Sequence, residues 1–275
     1  KLQLEEKYIR QKLEYLELPP SLVPEPARPD YMFPRAADHS KALRLLTSAS
    51  ATLIEKFGII ITPKTLSCLD DSEWLNDEVI NFYMGLIMER SAEGSGAKPG
   101  EASEMSTGVY SPPVHLKSVY IWNTFFWQKL SDDGKGYQYQ NVRRWSTKKK
   151  IDIFSREMML VPINVGRNHW ALGVVDFKAQ TIGYWDSLGG NRAKFAKVIS
   201  AYLRDEWEDK KKTPFPYDFK EKTPSLPHQN NSNDCGVFTC MFAEAATRGR
   251  VDFDQDNIPD ARVIMTVQIA RGSLT

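Results

Sequence analysis

A cysteine in the second half of the chain has a local sequence suited to nucleophilic chemistry. Cys235 follows the polar stretch 229–234 and begins an apolar-periodic stretch, so we predict a helix over 235–248 with Cys235 at its start. The N–H groups at a helix N-terminus favour a thiolate and can bind the oxyanion that forms on a substrate carbonyl. Taken alone, Cys235 fits a turn cysteine without a chemical role equally well.

One of the four histidines is placed as a general base would be. His39 and His115 lie in polar or proline-containing connections, where a solvated histidine is expected. His169 instead follows the turn Gly166–Asn168 and opens an apolar run over 170–177. A histidine that projects from the rigid start of a strand suits proton transfer. Taken alone, a partly buried structural histidine is the more frequent finding.

An aspartate and a glutamine complete the candidate site. Asp186 ends the apolar run 181–186, and a hairpin with 170–177 that turns near 178–180 would bring it close to His169. A carboxylate in that position would hold the imidazole in the correct tautomer. Gln229 lies shortly before Cys235, where its amide could donate to an oxyanion. By themselves, Asp186 also fits a turn cap and Gln229 an ordinary loop residue.

The surrounding pattern indicates which elements would position these residues. Short strands flanked by helices, without regular alternation, indicate an α+β fold. The sequence predicts strands over 59–62, 158–163, 170–177 and 181–186, and helices over 41–57, 72–88, 117–130, 191–209 and 235–248. Asp71 or Ser72 would cap the helix over 72–88.

The N-terminal part has a different composition. Residues 1–18 have helical periodicity that ends at Pro19, and the stretch to Pro34 is rich in proline and predicted to be extended. We therefore expect residues 1–56 to form an extension packed on a domain over 57–275. Residues 91–108 are small and polar, which predicts a mobile insertion without chemistry.

Composition excludes several function classes. The 36 basic and 35 acidic residues leave a net charge of +1, which argues against nucleic acid as the main partner. Three cysteines do not make a disulfide framework, and they fit a reducing compartment. We expect no membrane span and no signal peptide, since the apolar runs are short and residues 1–10 are highly charged. The chain begins without Met, so we expect a part of a longer protein.

Several stretches together resemble the Ulp/SENP proteases and, more distantly, the adenovirus protease. They follow one another in the family's order over roughly 57–270: Trp74–Tyr83, Asn123–Phe126, Arg143–Trp145, His169-Trp170, Tyr184–Leu188 and Gln229–Gly236. The resemblance implies a papain-like cysteine protease architecture of the adenovirus-protease/Ulp type, with a central mixed sheet flanked by helices.

The resemblance also implies an activity and a set of site residues. The family cleaves after the C-terminal Gly-Gly of SUMO, both in precursors and in conjugates on target lysines. The catalytic residues carried over are His169, Asp186 and Cys235, with Gln229 at the oxyanion. Trp74 and Trp170 would roof a channel that admits only glycines, and the modifier would dock on Asn76, Asp77, Asn123, Phe125 and Arg144.

The expected partners are SUMO and SUMO-conjugated proteins. We expect a monomer without a metal or another cofactor. The resemblance implies a nuclear location, at the nuclear envelope or pore for some members, and otherwise a cytoplasmic one. The run Lys148–Lys150 fits a nuclear-import signal or a solvated loop.

Three alternative functions remain open from the sequence. The first is a protease for another ubiquitin-like modifier, since a glycine channel suits any Gly-Gly tail. The second is an acyltransferase built on the same triad. The third is a catalytically inactive SUMO-binding module, which the presence of Cys235, His169, Asp186 and Gln229 disfavours.

Overall fold

A five-stranded mixed sheet forms the centre of the molecule. The computed structural model describes residues 34–94, 116–132, 136–190 and 192–274. The strands of the sheet are β3 (Val119–Ile121), β6 (Met158–Val165), β7 (His169–Asp176), β8 (Thr181–Trp185) and β9 (Lys220–Glu221). The sheet has the order β3-β6-β7-β8-β9, in which β3 is parallel to β6, β8 is parallel to β9 and the other neighbours are antiparallel.

The three long strands of this sheet are buried on both faces. In β6, Met158 and Leu160 face one apolar cluster while Met159 and Val161 face the other. This explains why the strands are nearly continuous apolar runs in the sequence rather than alternating ones. The predicted α+β class and the mixed sheet flanked by helices are therefore confirmed.

Helices cover both faces and the edges of the sheet. They are α1 (Ala36–Leu46), α2 (Pro63–Leu66), α3 (Asp77–Gly94), α4 (Phe125–Leu130), α5 (Tyr139–Val142), α6 (Trp145–Lys149), α7 (Arg192–Lys211), α8 (Cys235–Arg248) and α9 (Ile258–Arg271). Two short hairpins, β1 (Ile54–Lys56) with β2 (Ile59–Ile61) and β4 (Ser131–Asp132) with β5 (Gly136–Tyr137), lie outside the central sheet.

Helix α8 is buried along almost its whole length. It packs against α3 and β7, and every residue from Cys235 to Thr247 is buried. A buried ion pair also joins α8 to α3, because Arg90 Nη2 lies 2.6 Å from Glu244 Oε2. The Tyr83 hydroxyl lies 3.4 Å from Glu244 Oε1 and adds a further contact between the two helices. These contacts fix α8, and with it Cys235, relative to the rest of the core.

The described end of the N-terminal extension packs on α9. Helix α1 lies against α9, and Lys56 Nζ donates to the carbonyl of Gly272 at 2.7 Å. The β1–β2 hairpin spans the predicted boundary between residues 56 and 57. The domain division itself stays a prediction. The predicted helix over 1–18, nearly all of the proline-rich stretch and most of the insertion over 91–108 lie outside the described residues.

The predicted helix over 41–57 is wrong in its second half. Helix α1 ends at Leu46, and the chain then forms the β1–β2 hairpin. Phe57 and Gly58 both have positive φ, 57° and 72°, which is the backbone of a two-residue type I′ hairpin turn. The turn and the β-branched residues 59–61 favour strand pairing over continuation of the helix.

Two other helix predictions need correction. The helix over 72–88 begins only at Asp77, because Asn76 Oδ1 accepts the N–H of Val79 at 2.8 Å, while Ser72 has a positive φ of 66°. The helix over 117–130 is divided into β3 and α4, since residues 119–121 pair with β6. Helix α9 was not predicted.

Candidate active site

Cys235 lies at the start of the buried helix α8. Its side chain is almost inaccessible, with 2% of the residue exposed. Phe238 N–H donates to the carbonyl of Asp234 at 2.9 Å, and the N–H groups before it have no carbonyl one turn back. The helix therefore presents backbone donors beside Cys235, in the arrangement that an oxyanion hole requires.

His169 is the first residue of β7, as the sequence predicts for a base at a strand start. The tight β6–β7 turn places Val165 opposite His169, and both Gly166 and Arg167 in this turn have positive φ, 60° and 67°. His169 Nε2 lies 2.8 Å from Asp186 Oδ1, and the imidazole also interacts with the Cys235 side chain. Because Nε2 is bound to Asp186, Nδ1 is the nitrogen that remains for Cys235.

The surroundings of His169 favour its protonated form. Burial by itself disfavours the imidazolium, but the interactions with Asp186 and Cys235 outweigh it and raise the pKa of His169 to about 9. At neutral pH the imidazole is therefore protonated beside the sulfur. This is the state that pairs with a thiolate and can later donate a proton to a leaving amine.

Asp186 is held firmly in place beside His169. Leu172 pairs with Trp185, so one step further along the hairpin Asp186 lies opposite Ala171 and diagonally across from His169. Its Oδ1 also accepts the N–H of Leu188 at 2.8 Å. Burial would raise the pKa of Asp186, but the bonds from His169 and from the following backbone N–H groups lower it below its usual value.

Two neighbours complete the surroundings of this carboxylate. Gly190 N–H donates to Asp186 Oδ2 at 3.0 Å, and a Cβ on Gly190 would lie only 2.3 Å from that oxygen. Only glycine therefore allows this close approach. Burial raises the pKa of Tyr184, and the nearby Asp186 carboxylate raises it further. The Tyr184 hydroxyl thus stays protonated beside Asp186.

Gln229 is buried and its amide is oriented by two neighbours. Ser187 Oγ donates to Gln229 Oε1 at 2.6 Å, and Gln229 Nε2 donates to the carbonyl of Asn231 at 2.7 Å. The amide keeps one further N–H for another acceptor. Because Ser187 directly follows Asp186, this bond connects the Gln229 loop to the Asp186 loop. The oxyanion role of Gln229 stays a prediction.

The two tryptophans predicted to line a glycine channel have different surroundings. Trp74 is 45% exposed, whereas Trp170 is 5% exposed and belongs to the same apolar cluster as Cys235 and Leu75. A Cβ on Gly236 would lie 2.7 Å from Leu75 Cβ, so the segment of Trp74 lies directly against the start of α8. Trp74 is thus a surface residue beside the site, and Trp170 is a core residue next to the base.

Three of the predicted docking residues lie on one connected surface. Asp77 forms a hydrogen bond with Thr124, and Asn81 Oδ1 accepts the Thr124 N–H at 2.9 Å, so the start of α3 lies beside the start of α4. Asn123 and the 47% exposed Phe125 flank Thr124. Their contact with a modifier stays a prediction.

The other two predicted docking residues, Arg144 and Asn76, differ in how they contact the rest of the protein. Arg144 is exposed and directly precedes Trp145, whose ring lies 5.8 Å from that of Phe126. Asn76 has both ends of its amide engaged, because Oδ1 caps α3 and Nδ2 donates to the carbonyl of Thr65 at 2.9 Å. Asn76 therefore has a structural role in starting α3, which the sequence did not indicate.

A cleft opens on the other side of the His169–Asp186 pair. Its volume is about 460 Å³, and its lining includes Val165, Arg167 and Leu188 as well as His169 and Asp186. The imidazole can therefore be approached from a side that α8 does not cover. Leu188 is 57% exposed at this opening.

The sequence did not identify several residues that position the site. Ser187 and Tyr184 were noticed only as parts of a motif. Asp234 directly precedes Cys235, and Arg262 Nη2 lies 2.7 Å from its Oδ1. The one sequence signal was the single arginine among the apolar residues of 258–270, since a buried charge requires a partner.

Among the residues that the structure describes, no three His, Cys, Asp or Glu side chains lie close enough together to hold a metal ion. Across the same residues, no helix is both long and apolar enough to cross a membrane.

Comparison with known proteins agrees with this geometry. Residues 103–271 match the model of the Ulp1 protease family, C-terminal catalytic domain. The chain is 34% identical over 224 residues to a sentrin-specific protease of Caenorhabditis elegans, covering 80% of the chain and 28% of that protein. It is 32% identical over 244 residues to sentrin-specific protease 2 of Homo sapiens, covering 87% of the chain and 36% of that protein. The chain thus spans about a third of the length of these relatives.

Solved structures show the same fold. The C-terminal Ulp1 protease domain in complex with Smt3, the yeast ortholog of SUMO, superposes with a TM-score of 0.69 at 28% identity, covering 91% of this chain and all of that one. The Chaetomium thermophilum Ulp1-like SUMO protease catalytic domain, at 21% identity and a TM-score of 0.65, covers 91% and 94% and supports the fold alone. By sequence and by fold, the chain belongs to the Ulp1 protease family, through that family's C-terminal catalytic domain.

Proposed function

We propose that this chain is a cysteine protease that cleaves after the C-terminal Gly-Gly of SUMO, in precursors and in conjugates on target lysines. The observation that carries the proposal is the arrangement of Cys235, His169 and Asp186, in which the imidazole is hydrogen-bonded to Asp186 and interacts with Cys235. The similarity to a Ulp1 domain bound to Smt3 supports SUMO as the modifier.

The geometry supports a two-step acyl transfer. The Cys235 thiolate attacks the carbonyl carbon of the last glycine, and the N–H groups at the start of α8, with the Gln229 amide, stabilise the oxyanion. The His169 imidazolium then donates its proton to the leaving amine as the C–N bond breaks, which leaves a thioester on Cys235. In the second step neutral His169 takes a proton from water, whose oxygen attacks the thioester as the C–S bond breaks. The Cys235 thiolate and the His169 imidazolium are thereby restored, and the released carboxylic acid loses its proton to solvent.

The surface around Trp74 would select the substrate. The tail would pass beside exposed Trp74, where bulky side chains on the substrate would meet the indole and would be excluded. The globular body of the modifier would bind the connected surface of Asp77, Asn123 and Phe125, with Arg144 at its edge. Binding energy at a distance from the scissile bond would thus orient the glycine carbonyl near Cys235.

A panel of modifiers tests the proposal. SUMO, ubiquitin and other ubiquitin-like proteins, each with a fluorogenic group on the C-terminal glycine, are incubated with the wild-type chain and with Cys235→Ser. We expect SUMO to be cleaved, and we expect Cys235→Ser to bind SUMO without turnover. Cleavage of ubiquitin in preference to SUMO would contradict the assignment of SUMO as the substrate. Near wild-type turnover by Cys235→Ser would contradict the assignment of Cys235 as the nucleophile.

We further propose that the protein acts as a monomer in the nucleus. Support comes from the family resemblance, while Lys148–Lys150 has a structural explanation at the C-terminal end of α6, where basic residues are favoured. Imaging of a fluorescent fusion and sedimentation of the purified chain test these two points. Exclusion from the nucleus or a stable dimer would contradict them.

A further inference from the structure

A buried arginine on α9 connects two segments of the active site. The Arg262 side chain is 3% exposed, and its Nε and Nη2 donate to Asp234 Oδ1 at 3.2 and 2.7 Å. Its Nη1 donates to the carbonyls of Cys68 and Asp70 at 3.3 and 3.0 Å, and Nη2 donates to the carbonyl of Glu73 at 2.9 Å. These contacts use all five N–H donors of the guanidinium.

The positions of these acceptors relate Arg262 to catalysis. Asp234 directly precedes the nucleophile Cys235, and Glu73 directly precedes the exposed Trp74. One planar group with a fixed donor geometry therefore determines how far the segment before Trp74 lies from the start of α8. A lysine could keep the charge, but its single ammonium could not reach the same set of acceptors.

A second side chain extends this connection to the Gln229 loop. Gln255 Nε2 donates to Asp234 Oδ2 at 2.8 Å, while Gln255 Oε1 accepts the N–H of Asn230 at 2.9 Å. Asn231 Nδ2 donates to the same Asp234 oxygen at 2.7 Å. Asn230 directly follows Gln229, so Gln255 connects the residue after the amide donor with the residue before the nucleophile.

We propose that Arg262 and Gln255 are positioning residues, which act through Asp234 to hold Cys235, Gln229 and Trp74 in the arrangement that the reaction requires. The proposal deepens the function proposed above and rests on it for the identity of the substrate. Neither residue touches the reacting atoms, so both act through other groups.

The kinds of interaction that Arg262 makes indicate that it positions the neighbouring loop and does not only stabilise the fold. A buried ion pair is often no better for stability than well-packed apolar side chains, because both charges lose their hydration. Here the pair is supplemented by three backbone carbonyls from a loop that belongs to no strand or α-helix of the core. Holding such a loop in one geometry beside a nucleophile is a task for directional hydrogen bonds, and a shift of about 1 Å can cost roughly a hundredfold in rate.

Three variants test the proposal. Gln255→Ala removes one link at a half-buried position, and Arg262→Lys keeps the charge but loses the geometry. Asn257→Ala is the matched control, because Asn257 lies in the same short turn as Gln255 but accepts the N–H of Asp254. For each variant we measure the melting temperature, kcat and KM on the fluorogenic SUMO substrate, and the rate at which iodoacetamide alkylates Cys235, located by peptide mapping.

Gln255→Ala removes the hydrogen bonds of Gln255 to Asp234 and Asn230. We therefore expect it to lower kcat about fivefold or more, with KM within about twofold and the melting temperature close to wild type. Arg262→Lys should lower kcat about tenfold or more. Both should change the alkylation rate of Cys235, whereas Asn257→Ala should change neither kcat nor alkylation.

Two results would overturn the proposal. One is a Gln255→Ala variant with unchanged kcat and alkylation rate. This result would overturn the proposal even if Arg262→Lys does not fold. The other is an equal loss of kcat in Asn257→Ala. If the wild type does not cleave SUMO, the proposed substrate fails, while the alkylation rates still test the positioning.

Discussion

The pKa of His169 gives the most direct test of the catalytic geometry, through the variant Asp186→Asn. In the folded protein this pKa is raised from 6.5 to about 9, which corresponds to roughly 3 kcal/mol in favour of the imidazolium. Asp186 and Cys235 share this effect. An asparagine can keep a hydrogen bond to Nε2 but carries no negative charge, so we expect it to remove about half of the effect.

The assay is kcat/KM for the fluorogenic SUMO substrate between about pH 6 and pH 10.5. For the wild type we expect activity to fall on the alkaline side near pH 9, where the imidazolium loses its proton. In Asp186→Asn this fall should move to lower pH by about one unit, together with a lower maximum. An alkaline fall that stays near pH 9 in a folded variant would refute the role of Asp186.

Asp176→Asn is the matched control for this measurement. Asp176 is also buried, lies at the opposite end of β7 and pairs with Lys117 at 2.8 Å. The variant thus removes a buried, paired carboxylate from the same strand without touching His169. We expect its pH profile to match the wild type, although its stability should decrease.

The same pKa predicts how stability depends on pH. Because the folded pKa of His169 is raised, its contribution to stability is complete below about pH 6.5 and is lost as the pH rises through about 9. The difference in unfolding free energy between the wild type and Asp186→Asn should therefore be larger at pH 6 than at pH 9.5. Urea denaturation of both proteins at the two pH values measures this difference. A difference that is equal at both pH values, or larger at pH 9.5, would contradict the stabilisation of the His169 imidazolium by Asp186.

Three further changes have expected outcomes. Trp170→Ala should destabilise the fold by about 3–5 kcal/mol, because the side chain is buried beside Cys235, and should also slow cleavage in the fraction that stays folded; normal stability in thermal melts would contradict its core position. Gly236→Ala should slow cleavage about tenfold or more, since the added Cβ would lie 2.7 Å from Leu75 Cβ and displace the start of α8; single-turnover kinetics at the wild-type rate would show that this contact can relax freely. Removing residues 95–107 should leave SUMO cleavage within about tenfold, because the candidate site residues lie elsewhere, and a larger loss would assign these residues to the site.

Local patterns predicted the elements that carry the catalytic residues. The helix over 235–248 and the strand beginning at His169 were predicted within one residue of their observed bounds, because caps, turns and apolar runs define them locally. The errors arose where a distant partner decides the structure. Residues 119–121 are a strand only because β6 lies beside them, and the second half of the predicted helix over 41–57 is a hairpin around Phe57 and Gly58.

The candidate catalytic residues could be predicted from the sequence, but the residues that hold them in position could not. His169 and Asp186 are 17 residues apart on neighbouring strands, so a simple hairpin register brings them together. Arg262 contacts Asp234 across 28 residues and the carbonyl of Cys68 across 194, and no local pattern indicates such pairs. An arginine among apolar residues shows that a partner is needed, but it does not show which one.

The two halves of the reaction centre are held together by different kinds of interaction. The base is the first residue of β7, and the nucleophile begins α8, which packs directly on β7 through buried apolar residues such as Leu172 and Phe238. Close packing resists small displacements, so this interface alone can keep the imidazole near the sulfur. Residues 70–73, just before Trp74, are exposed and belong to no strand of the central sheet, so close packing does not fix them in the same way. Carbonyls in this segment are bound instead by Arg262, which also binds the residue before Cys235, and so the segment is positioned relative to the start of α8 rather than to the sheet.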